Sequence, residues 1–145
     1  MRLTVVTVAL ALACSSCGGE GASDATSGAD VTFPTDPYET ATSDSGGLRF
    51  SIRTAPSQPP APGASTIELL ITDAAGAPRD GLVLDIVPWM PAMGHGTSVR
   101  PTVTPKSGGT YVVTNVNLFM PGEWELRTSV SGPLTDHVAP RLTVP

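Results

Sequence analysis

Ser65-Thr66-Ile67-Glu68-Leu69-Leu70-Ile71-Thr72-Asp73 sets Ile67, Leu69 and Ile71 on one side and Glu68, Leu70 and Thr72 on the other. An apolar period of two marks a β-strand, whose successive side chains point to opposite faces; a helix would repeat near 3.6. The same alternation recurs in Leu82–Val87, where Leu82, Leu84 and Ile86 oppose Val83, Asp85 and Val87. It recurs again where Trp124, Leu126, Thr128 and Val130 oppose Glu125, Arg127 and Ser129. Strands with one apolar face belong to antiparallel sheets that cover a core on one side only.

Extended outward, the pattern predicts seven strands: Leu48–Thr54, Ser65–Asp73, Leu82–Val87, Thr97–Thr104, Thr110–Leu118, Trp124–Val130 and Asp136–Val144. Gly- and Pro-containing breaks at Ala74–Gly81, Lys106–Gly109 and Pro121-Gly122 separate them. Seven short strands within 98 residues have the size and rhythm of an all-β, immunoglobulin-like antiparallel β-sandwich. Both cysteines, Cys14 and Cys17, precede this region, so the inter-sheet disulfide of antibody domains is excluded and only the architecture is expected. Tyr111, after Gly108-Gly109, is placed either for a tyrosine-corner hydrogen bond or as an ordinary strand tyrosine.

Upstream of Leu48 the composition changes sharply. Gly18–Gly47 carries six acids, no Lys or Arg and almost no large apolar residue, which predicts an acidic disordered linker. The very N-terminus differs again: Arg2, the ten-residue apolar run Leu3–Leu12 and small residues before Cys14 have the layout of a bacterial export signal. The run is too short to span a bilayer, which takes about 20 apolar residues. Small residues ending at a cysteine resemble a lipoprotein signal. Cleavage is expected after residue 13 with lipidation at Cys14, Cys17 being the alternative. The expected organisation is a signal peptide over 1–13, a lipidated N-terminus and linker over 14–47, and one sandwich over 48–145. That arrangement implies an exported chain, lipid-anchored to a bacterial membrane, with its domain in the periplasm or outside the cell.

Charge and length narrow the function classes. The chain has 145 residues, the size of one domain. Its formal charge is −5, and only eight Lys and Arg are scattered along it, which argues against a nucleic-acid partner. The nucleophile elbow, the zinc-hydrolase His pair and the Gly-rich phosphate loop are all missing from the sequence. Asp136 and His137 are adjacent, but strand neighbours face opposite ways. A binding or accessory module, with an envelope protein as its partner, is expected rather than an enzyme.

The most informative segments are Pro88-Trp89-Met90-Pro91-Ala92-Met93-Gly94-His95-Gly96 and Phe119-Met120-Pro121-Gly122-Glu123-Trp124, which contain every methionine after Met1. With Thr72-Asp73-Ala74-Ala75-Gly76-Ala77-Pro78 and Tyr111 between and before them, they resemble the YtkA-like family of bacterial exported domains, related to FixH-like proteins. The resemblance runs from about Pro59 to Val130 and implies a β-sandwich of the cell envelope.

Thioether sulfur and imidazole nitrogen are soft to intermediate ligands, suited to Cu(I) rather than to Mg or Ca. Strand counting brings the two Met-containing loops, with the Pro-rich loop Ala55–Ala64, to one pole and sends His137 to the other. Met93 and His95, two apart in an extended segment, would project to the same side. The expected ligand set is Met93, His95 and Met120, with Met90 as a further or alternative ligand. The competing expectation is that the methionines only fill the end of the sandwich, with Trp89 and Trp124 packed over it as core aromatics.

Overall fold

A computed structural model of the chain describes residues 31–145. The expected signal segment 1–13, both cysteines and the expected linker up to residue 30 lie outside the described residues. Ten strands follow: β1 (Glu39–Thr42), β2 (Leu48–Ala55), β3 (Gly63–Asp73), β4 (Val83–Met90), β5 (His95–Gly96), β6 (Thr102–Pro105), β7 (Thr110–Leu118), β8 (Gly122–Ser131), β9 (Asp136–Val138) and β10 (Arg141–Val144). Among the described residues there is no helix.

Every pairing is antiparallel, in two sheets ordered β1-β2-β3-β7-β6 and β10-β8-β4-β5, with β9 also paired to β8. Taking β2 as the first strand, the sheets follow the A-B-E-D and G-F-C-C′ orders of immunoglobulin-type sandwiches. The expected sandwich is therefore the observed one. Its inner faces are apolar by alternation: Leu48, Phe50 and Ile52 on β2, Ile67, Leu69 and Ile71 on β3, and Trp124 and Leu126 on β8 are all buried.

One strand breaks the alternation to keep its contacts. On β7, Tyr111 and Val113 face inward, yet so do Val116 and Leu118, which lie out of phase with them. The register with β3 runs Ser65 to Val116 but Ile67 to Val113, so β7 carries one extra residue there. Asn115 occupies the bulge at φ 59°, a left-handed conformation that asparagine tolerates better than most residues. Tyr111 does make a corner-type bond: its hydroxyl donates to Arg79 O at 2.9 Å and accepts from Leu82 N at 3.0 Å, pinning the crossover between the sheets.

Four differences from the sequence reading go beyond a shift of one to three residues at a strand end. The expected strand Thr97–Thr104 shortens to β6, because residues 97–101 carry the chain from β5 in one sheet to the edge of the other. The His95–Gly96 hairpin strand was not anticipated. The last expected strand is split into β9 and β10 with its register to β8 unchanged on both sides. The break falls at Pro140, which has no N–H to donate, though its carbonyl still accepts from Leu126 N at 2.9 Å.

The fourth difference lies in the acidic segment, which joins the fold before Leu48. Strand β1 pairs with β2 from Glu39–Ile52 to Thr42–Arg49. The Tyr38 hydroxyl reaches the opposite sheet, where it donates to Thr143 O at 3.3 Å and accepts from Thr143 N at 3.2 Å. Composition misses this segment because ladder and side-chain hydrogen bonds hold it, with little apolar burial. The buried Asp136 completes the attachment, its carboxylate accepting from the Ser45 hydroxyl at 2.6 Å and from the N–H groups of Ser45 and His137.

Hydrogen bonds from the Ser43 and Ser45 hydroxyls, aided by those backbone N–H groups and opposed by burial, hold the Asp136 carboxyl well below the usual carboxylate range. A carboxyl depressed on folding stabilises the fold above its unfolded value, and that contribution is lost as pH falls through and below 3.8. Asp136→Asn is therefore expected to lower the Tm by a constant amount near neutral pH. The gap to the parent should close below about pH 4 in thermal melts across the acid range.

Candidate metal- and partner-binding pole

At one end of the sandwich, β4 turns into β5 through Pro91-Ala92-Met93-Gly94. The Met90 carbonyl accepts from Met93 N at 3.2 Å and from Gly94 N at 3.0 Å, and Gly94 closes the turn at φ 67°. Glycine adopts that conformation at little cost. The turn brings Met90 opposite His95 and Trp89 opposite Gly96. Gly96 is held to glycine by a different constraint: a Cβ there would stand 2.5 Å from Pro88 O and 3.3 Å from Trp89 Cε3.

The second loop, Phe119-Met120-Pro121, joins β7 to β8 at the same pole. Phe119 stacks on His95 with ring centroids 6.2 Å apart and planes 7° from parallel. Its ring also meets Trp124 edge-on, with centroids 5.3 Å apart. Trp124 is fully buried and donates its indole N–H to Met120 O at 3.0 Å. Gly63, where the Pro-rich loop ends, pairs with Leu118 just before Phe119. Gly122 begins β8 under Met90, whose Cε lies 2.8 Å from where a Cβ would be.

Strand parity thus correctly brings the loops together. It also correctly excludes His137, which pairs with Ser129, seven residues along β8 from Gly122 and about 23 Å away.

The four candidate ligands differ in environment. Met93, at the tip of the turn, is 55% exposed, and His95 is exposed beside it. Met120 is half-buried against the core. Met90 is 3% exposed and belongs to the core. Met93 and His95 do not share an extended segment as expected, because Gly94 between them lies in the turn. Trp89 is also corrected: it occupies the outer face of its sheet, where the Arg127 guanidinium lies 4.4 Å above its ring. Only Trp124 is a core aromatic of the pole. Phe119 is the residue to which the sequence reading gave no role; a large aromatic in a short Pro-Gly loop was the available signal.

Among the described residues, no three His, Cys, Asp or Glu side chains cluster to hold a metal ion. Thioethers would have to complete any site here. His95 Nδ1 lies 3.2 Å from Gly96 O, and with Nδ1 protonated that contact leaves Nε2 as the nitrogen with a lone pair. A single imidazole among methionines is a donor set that fits a soft cation.

The family model for YtkA-like domains matches residues 42–129. The chain belongs to the YtkA-like family. The matched region runs from the end of β1 to Ser129 in β8 and contains both loops of the pole. No curated protein and no solved structure matches the chain.

In this YtkA-like domain, Gly96 sets the separation of β4 and β5 that carries His95. Gly96→Ala has to displace backbone and not merely the end of a flexible side chain. It is expected to cost about 1–3 kcal/mol, read by urea denaturation. His95 resonances should shift with it in NMR spectra.

Proposed function

We propose that the protein is an exported, lipid-anchored accessory module of the cell envelope, a binding protein and not a catalyst. Its Met/His pole holds Cu(I) through His95, Met93 and Met120. The observation that carries the reading is His95, stacked on Phe119 from the second loop, with Nδ1 against Gly96 O and Nε2 left to bind. Met93 stands exposed on the same hairpin, and Met120 follows Phe119 directly. Met90 serves packing in this reading, consistent with its burial. Cu(I) would supply affinity for soft donors, and the chain's own contribution is to orient the imidazole and exclude hard ligands.

Met93 at 55% and Phe119 at 41% exposure favour a second reading, in which the pole is an apolar contact for an envelope protein partner and no metal is bound. A Cu(I) titration of the full chain against a competing chelator separates the two. His95→Ala, Met93→Leu and Met120→Leu are each expected to weaken binding tenfold or more, while the Met→Leu changes alter stability by less than about 1.5 kcal/mol. No binding by the parent, or equal affinity in all three variants, leaves the partner-contact reading.

The anchor is tested by fatty-acid labelling in cells. Cys14→Ser is expected to abolish labelling and Cys17→Ser to preserve it. Labelling that survives the double substitution excludes both cysteines.

A further inference from the structure

On the side of the sandwich away from the core, register aligns Thr42, Arg49 and Thr72 in one row across β1, β2 and β3, with Thr40 and Ser51 in the next. These residues line a shallow depression of about 320 Å³. Arg49 differs from the other strand arginines. Arg53, Arg127 and Arg141 are each paired with a glutamate, whereas Arg49 has no ion pair among the described residues. The hydroxyls of Thr40, Thr42, Ser51 and Thr72 likewise have no hydrogen-bond partner among the described residues.

The neighbouring acids are engaged elsewhere. Glu39 alternates to the other face of β1 and accepts from Thr40 N at 3.0 Å. Asp73 alternates away from Thr72 and accepts from Ala75 N and Ala77 N, both at 2.9 Å. Glu68 is held by Arg53 at 3.1 Å. The depression therefore offers one guanidinium and four hydroxyl donors with no facing carboxylate.

We propose that this depression is a binding site for a phosphate-type oxyanion, with Arg49 as its charged donor and the hydroxyls of Thr40, Thr42, Ser51 and Thr72 completing the shell. A guanidinium presents two parallel N–H groups to a pair of oxygens. Hydroxyl donors from two rows suit the additional oxygen of a tetrahedral group better than a planar carboxylate. The ligand is either a soluble phosphate or the phosphodiester of an anionic lipid headgroup.

Backbone amide shifts of the full chain are followed by NMR during titration with inorganic phosphate, with glycerophosphoglycerol as a headgroup diester, and with chloride at matched ionic strength. Saturable shifts centred on Thr40, Thr42, Arg49 and Thr72 are expected with phosphate or the diester. Arg49→Gln should weaken them about tenfold or more, while Arg127→Gln, on the other sheet, should leave them intact. A response to the diester identifies a lipid headgroup as a source, and a response to inorganic phosphate alone identifies a soluble one. Shifts matched by chloride, or equal in Arg49→Gln, overturn the site.

Discussion

The buried indole of Trp124 must satisfy its N–H without water, and it does so with the carbonyl of Met120, in the loop that immediately precedes its own strand. That bond fixes the path of Phe119-Met120-Pro121 across the end of the sandwich. Phe119 then packs edge-on against the indole and presents its face to His95. The core aromatic and the exposed imidazole are thus linked through one ring. Loss of the Trp124 side chain would remove core volume, a change worth about 3–5 kcal/mol in well-packed sites, and would also release the loop that supports His95.

The bulge in β7 serves the same end. Were the strand regular, the alternation that buries Tyr111 and Val113 would turn Val116 and Leu118 outward. The extra residue at Asn115 resets the phase, so Leu118 closes the core directly below Phe119. The cost is one residue in the left-handed region, which asparagine tolerates better than a β-branched residue would. Strain of order 1–2 kcal/mol for an ordinary residue is reduced by that choice.

What sequence reading could recover follows from which forces leave a trace in composition. Apolar burial writes a period of two, and the main strands of both sheets were legible from it; so were the Met/His loops and the pole they share. Hydrogen-bonded attachments leave no such trace. Glu39-Thr40-Ala41-Thr42 reads as linker, yet it is a strand held by its ladder, by Tyr38 and by the Asp136 carboxylate. The face of Trp89 was misread because the strand continues to Met90, whose burial sends its neighbour outward beneath Arg127. The β7 bulge was visible as a phase slip between Val113 and Val116, but only side chains known to be buried give the slip meaning.

Alternation also decides which donors the pole presents. Glu123 and Glu125 flank Trp124 in sequence and would offer hard oxygen donors if they turned toward His95. The two-residue period that buries Trp124 directs both to the outer face, where Arg141 meets Glu123 at 3.0 Å and Arg127 meets Glu125 at 3.1 Å. The donors left at the pole are the imidazole, the thioethers and backbone carbonyls, of which Met90 O and Met120 O are already engaged. Among the described residues no three His, Cys, Asp or Glu side chains cluster, so the carboxylate oxygens that a hard divalent cation favours are not gathered there. If the pole holds Cu(I) as proposed, the placement of the carboxylates keeps its donor set soft as much as the methionines do.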